Sequence, residues 1–224
     1  MRNAIVTGAS FGIGKAISIA LAKDGINVIA VARNGNELES LAKNYDNIKA
    51  YQLDITDEVA VASFIESING LQIDILVNNA SGGGTNKKVV EDLINNWRLS
   101  YEINVVAPVN LAKMLIPNMI KNKDGHVVFI TSTCGHYVYS SGSGYAIAKQ
   151  AEVALTELLR MELIGTGVRV TEIAPGNVNS RAASDVYNSL NAEDIAEAVR
   201  WSVTLPSHVN VESIKILHIN NPIR

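Results

Sequence analysis

Seven short apolar runs punctuate the chain, at residues 3–8, 26–32, 48–54, 73–79, 125–132, 168–174 and 213–219. Most are apolar at consecutive rather than alternate positions, as expected of strands covered on both faces in a parallel sheet. Between them, apolar positions recur with helical spacing at 13–24, 36–44, 57–69, 89–121, 143–164 and 192–204. Strand and helix alternate from one end to the other. That order predicts an α/β fold: a doubly wound parallel sheet of about seven strands, right-handed crossovers, and helices on both faces in three α/β/α layers. No repeat, low-complexity tract or Pro/Ser-rich linker interrupts it, so a single domain over 1–224 is expected.

Composition narrows the function classes. Hydrophobic residues make up 47% of the 224 and charged residues 18%, which fits a globular chain with a substantial core. A net charge of −3 with both signs interspersed gives no electrostatic footprint for nucleic acid or an anionic membrane. The single cysteine, Cys134, cannot close an internal disulfide, and His126, His136, His208 and His218 have no metal-ligand spacing. No metal is expected. The first apolar run breaks at Gly8, too short for a signal-peptide core, and no uninterrupted run approaches a membrane span. A cytoplasmic enzyme or binding protein is the expectation.

The chemistry begins where the first strand enters "TGASFGIG", residues 7–14, ahead of a helix. Glycines 8, 12 and 14 allow a tight turn, close approach of backbone to a pyrophosphate, and close helix–strand packing. The helix start then offers free N–H groups and partial positive charge to phosphates. In this βαβ context a dinucleotide site is expected. At the end of the second strand, an acidic residue would accept from the adenosine 2′-hydroxyl, whereas an arginine would bind a 2′-phosphate. The sequence there is "VARN", with Ala32 followed by Arg33. NADP is therefore favoured over NAD.

The spacing Thr-Gly-x-x-x-Gly-Ile-Gly resembles that of the classical short-chain dehydrogenase/reductase family, whose fold is Rossmann-type. The resemblance spans the whole chain and assigns roles residue by residue. Gly8, Ser10, Phe11, Gly12, Ile13 and Gly14 would line the phosphates; Asp54, with Ile55, would meet the adenine. "NNAS" at 78–81 resembles the family's Asn-Asn-Ala-Gly, placing Asn79 and Ala80 at the cofactor with Ser81 in place of glycine. "PGNVNS" at 175–180 resembles Pro-Gly-x-Val-x-Thr, placing Pro175, Gly176 and Val178 near the nicotinamide.

At the reacting end, Tyr145 and Lys149 in "SGYAIAKQ" stand four apart on one helical face. With Ser132 and Asn104 they match the family's catalytic tetrad. Reducing a carbonyl requires a hydride to carbon and a proton to oxygen, and a phenol of ordinary pKa about 10 is a poor proton partner near neutrality. An ammonium about 6 Å away at an effective dielectric of about 20 favours phenolate by roughly 2.8 kcal/mol. The resemblance gives Lys149 that role, together with Tyr145 in holding the nicotinamide ribose. It makes Ser132 the residue that orients the substrate oxygen, and Asn104 the holder of a relay water.

Substrate residues are less legible. Ser81, Cys134, Tyr139, Asn177 and Arg181 are the lining candidates by position. The tail "AEDIAEAVRWSVTLPSHVNVESIKIL" looks like the 3-hydroxy acid dehydrogenase branch, which includes serine dehydrogenases. The expectation is an oxidoreductase interconverting a small or medium ketone, aldehyde or 3-oxo acid and its alcohol, in a homodimer or homotetramer. Three alternatives stay open: a 3-oxoacyl-acyl-carrier-protein reductase, a dinucleotide-sensing regulatory protein without turnover, and a sugar-nucleotide epimerase or dehydratase.

Overall fold

In chain order the strands are β1 (Asn3–Thr7), β2 (Asn27–Ala32), β3 (Ile48–Gln52), β4 (Ile75–Asn78), β5 (Gly125–Ile130), β6 (Val168–Pro175), β7 (Val178–Asn179), β8 (Leu190–Asn191) and β9 (Ser213–Ile216). These come from a computed structural model that describes residues 1–179 and 188–221. Seven of them form one sheet in the order β3-β2-β1-β4-β5-β6-β9, with every pairing parallel. The short β7 and β8 pair with each other apart from it. The helices are α1 (Gly12–Lys23), α2 (Gly35–Ala42), α3 (Glu58–Ser67), α4 (Ile94–Tyr101), α5 (Ala107–Asn122), α6 (Ser143–Glu162) and α7 (Ala192–Thr204). This is the expected Rossmann-type α/β fold.

Consecutive strand residues point to opposite faces, and the core divides accordingly. Ala4 and Val6 of β1 pack with Ile17 and Leu21 of α1, Leu38 of α2 and Ile195 and Val199 of α7. Ile5, between them, packs instead with Phe64 of α3 and Leu111, Leu115 and Met119 of α5. Each of the Val, Leu, Ile, Phe and Met side chains among them, fully buried, contributes about 1.5–3 kcal/mol. The two layers hold the carboxyl ends of β1 and β4 side by side with their loops diverging. In an open α/β sheet, that is where a ligand crevice forms.

The helix expected over 89–121 is the main departure. It starts at Ile94, and α4 joins α5 through a wide π-helical turn, Glu102–Val106. Leu93, at the N-cap of α4, has no side chain that could cap it; one residue upstream, the Asp92 carboxylate accepts hydrogen bonds from the Ser143 hydroxyl and from Asn96. The continuous stretch Ile94–Asn122 is long and apolar enough to cross a membrane by length and composition, although no uninterrupted apolar run suggested one. Half of its most apolar window lies buried inside the protein.

Candidate active site

Thr7, the last residue of β1, ties the crevice together. Its hydroxyl accepts from the N–H groups of Asn79 and Ala80, both at 3.0 Å, while the Asn79 side-chain amide donates to the Thr7 carbonyl at 2.8 Å. The glycine turn fits against this knot. Gly8 has φ +67°, and a Cβ on Gly14 would collide with the Gly8 carbonyl and the Asn79 amide. No side chain caps α1, and its first turn carries no acidic residue, so its leading N–H groups face the crevice with their partial positive charge intact.

A cavity of about 380 Å³ opens there. Gly8, Ser10, Phe11, Gly12, Ile13, Gly14, Arg33, Asp54, Ile55, Asn79 and Ala80, all expected at the cofactor, line it. Ser81, expected at the substrate, lines it too, and so do Asn34, Thr56, Leu99 and Ile103, which the sequence did not single out. The backbone cradle, the uncapped helix start and the exposed Arg33 fit a nicotinamide dinucleotide. Burial pushes the Asp54 carboxyl up, but the Thr56 N–H and hydroxyl outweigh it, and with nearby Arg33 they hold it below the ordinary range.

Tyr145, Lys149, Pro175, Gly176 and Val178 lie outside that lining. Tyr145 is half-buried on α6, and a Cβ on Gly84 would sit 3.7 Å from its ring, so the 81–85 loop lies against it. Lys149 is 1% exposed, with its Nζ 5.8 Å from the Tyr145 ring centre. Two of its three protons are engaged, by the Ile130 carbonyl at 3.0 Å and by Glu152 Oε2 at 2.7 Å. Burial opposes charge on Lys149, but Glu152 and Tyr145 outweigh it and raise its pKa. Full burial likewise raises the pKa of Glu152. Ser132 follows β5 in an extended conformation (φ −169°, ψ 157°), and its Oγ accepts from the Cys134 N–H at 3.2 Å. The Ser132 hydroxyl proton therefore remains available for another acceptor.

Asn104 sits in the π turn, fully buried. Its amide donates to the carbonyls of Ser100 (2.7 Å) and Gly82 (3.0 Å), and its oxygen accepts from the Ser81 hydroxyl at 2.8 Å. Bending the helix and pinning the loop are thus one arrangement. Glu152 and Glu172 were not singled out by the sequence reading. Glu172 accepts from Thr131 and Ser213, and its Oε1 lies 2.7 Å from His136 Nε2. Burial pushes it up, but these partners hold its carboxyl below the ordinary range. Glu152 stands three residues after Lys149 and seven after Tyr145, but that spacing alone does not set it apart from an ordinary polar helix residue.

A family model described as short chain dehydrogenase matches residues 2–191. The chain belongs to the short-chain dehydrogenase family. An uncharacterized oxidoreductase of Mycobacterium tuberculosis is 38% identical to it over 96% of this chain and 90% of that protein. The crystal structure of serine dehydrogenase from Escherichia coli superposes with a TM-score of 0.91 at 32% identity, covering 99% of this chain and 100% of the other. A closed form of serine dehydrogenase complexed with NADP+ gives a TM-score of 0.93 at 30% identity, covering 99% and 96%. This short-chain dehydrogenase is accordingly an oxidoreductase of the alcohol/carbonyl type.

Of the substrate candidates in this short-chain dehydrogenase, Cys134 is half-buried in the turn after Ser132, and Tyr139 and Asn177 are exposed. Burial and a hydrogen bond to Cys134 push the Tyr139 phenol well above its ordinary range. Arg181 lies outside the described residues, as does Ser180 of the "PGNVNS" motif.

Proposed function

We propose that this short-chain dehydrogenase reduces a small or medium ketone, aldehyde or 3-oxo acid with NADPH, Tyr145 acting as the acid/base. One observation carries the reading: a fully buried Lys149 on the same helical face as Tyr145, its Nζ 5.8 Å from the ring, beside a cradle suited to a dinucleotide. The cofactor, when bound, supplies the hydride. Tyr145 delivers the proton from its hydroxyl, and Lys149 keeps the resulting phenolate accessible. Ser132 donates its free hydroxyl proton to the substrate oxygen. The Asn104 side chain is committed to Ser81, Gly82 and Ser100, so its water-holding role falls to its main chain. Tyr145 and Lys149, with Pro175, Gly176 and Val178, complete the cofactor set at the nicotinamide end.

The preference for NADP rests on the charge of Arg33 and is supported by the NADP+-bound neighbour. Likeness to serine dehydrogenase supports a hydroxy acid or related small substrate. Exposed Ile94 on α4 and Ile147, Leu158 and Met161 on α6 support a homodimer or homotetramer built through these helices. The test is oxidation of NADPH and NADH over diketones, aldehydes and 3-oxo acids. NADPH turnover that disappears in Tyr145→Phe while NADPH still binds supports the reading; turnover retained in that variant sinks it. Arg33→Ala should cut the preference for NADPH over NADH about tenfold, the loss of one charge-assisted phosphate contact.

A further inference from the structure

We propose that Glu152 is a positioning residue of the acid–base centre: its carboxylate holds the Lys149 ammonium, partly cancels that charge at Tyr145, and so sets the pH at which the phenol changes protonation. The inference rests on the acid/base reading of Tyr145.

Its geometry is that of one helical face. Residues 145, 149 and 152 lie at i, i+4 and i+7, nearly one azimuth, with Glu152 about 10.5 Å beyond Tyr145 along the axis. Helical side chains lean toward the N-terminus, and Glu152 reaches back to Lys149 Nζ at 2.7 Å, both side chains 1% exposed. An exposed pair at this spacing would do little, and a buried one is a poor way to gain stability, because desolvating both charges offsets their attraction. Apolar residues would fill the same space more simply. What the pair does change is the field at the ring 5.8 Å from Nζ, where a lone ammonium becomes an ammonium–carboxylate dipole.

Other titratable groups converge on the pair. Glu172 on β6 adds a second negative charge toward Glu152 and meets His136 after β5; Cys134 faces Lys149; Tyr145 shares the helix face. Among these, only Glu152 touches the Lys149 ammonium. At an effective dielectric of about 20, a carboxylate about 10 Å from a phenol opposes its ionisation by about 1.7 kcal/mol, roughly one pH unit.

The experiment is an ultraviolet tyrosinate titration of the substrate-free protein, with Tyr145→Phe subtracted in each background to isolate that ring among the seven tyrosines. Because it needs no turnover, it is independent of the substrate assignment, which the Tyr145→Phe activity loss tests separately. In Glu152→Gln the Tyr145 midpoint should fall by about one pH unit, and in Glu152→Asp it should stay near wild type. An unchanged midpoint in Glu152→Gln overturns the proposal. So does a rise, which would mean that Glu152 serves only to keep Lys149 protonated. Should Glu152→Gln fail to fold, Glu152→Met fills the same volume without an unpaired amide and is read the same way.

Discussion

Two buried cations occupy opposite ends of the sheet. Lys149 sits at the carboxyl end of β5, neutralised by the Glu152 carboxylate and the Ile130 carbonyl. Arg169, 6% exposed, sits at the amino end of β6. Its Nη1 donates to the carbonyls of Ser202, Leu205 and Val209, and Arg2 donates to that of Val203. These include carbonyls that the end of α7 leaves without helical partners, where the helix dipole favours positive charge. A carbonyl cannot take up a proton, so the lower cation is fixed in charge and in place. A carboxylate can, so the field of the upper one is adjustable. The same demand, compensating a buried charge, is met structurally at one edge and chemically at the other.

The contrast is broken most severely from above. Tyr145→Phe should cut turnover about 10²- to 10⁴-fold, measured by steady-state NADPH oxidation, with the melting temperature nearly unchanged. Arg169→Met should do the reverse: a loss of about 2–3 kcal/mol in urea unfolding, from carbonyls left without a donor, while the folded fraction keeps its activity. Acid sharpens the distinction. His126, fully buried beside Arg169 and Arg2, is held well below the ordinary imidazole range by desolvation first and by those two cations. Below about pH 6.5 the unfolded chain takes up a proton there that the folded one refuses, so stability falls by up to about 1.4 kcal/mol per pH unit until the folded ring titrates. Glu152 acts with the opposite sign. Its raised pKa means the folded state binds the proton first, which favours folding as pH falls toward the ordinary glutamate range. Thermal melts between about pH 6.5 and 4.5 should therefore flatten in His126→Gln and steepen in Glu152→Gln.

The cofactor half of the site was legible because its signals are local. The run into Gly8 and the glycine spacing each act within a few residues, and the Arg33 charge needs only the end of a strand to place it. Tyr145 and Lys149 were legible for the same reason, being one helical turn apart. Glu152 was not, because what distinguishes it from an ordinary polar helix residue is burial against β6 and the turn after β5, a property of distant segments. The late start of α4 was hidden similarly: the Asp92 carboxylate that accepts from Asn96 of α4 also accepts from Ser143, 51 residues away. The β7–β8 pair offers two residues per strand, too few for any period to show.

The π turn at Asn104 has a consequence for how this gene can vary. A π turn accommodates one residue more than the α-helical hydrogen-bonding pattern would, and each residue carries about 100° of rotation. The wide turn absorbs that rotation, so removing one of residues 102–106 would let the helix close regularly with Leu111, Leu115 and Met119 still facing the sheet. What would be lost is the turn that holds Asn104 against Ser81, Gly82 and Ser100. A single-codon deletion there would spare the fold and strike the site.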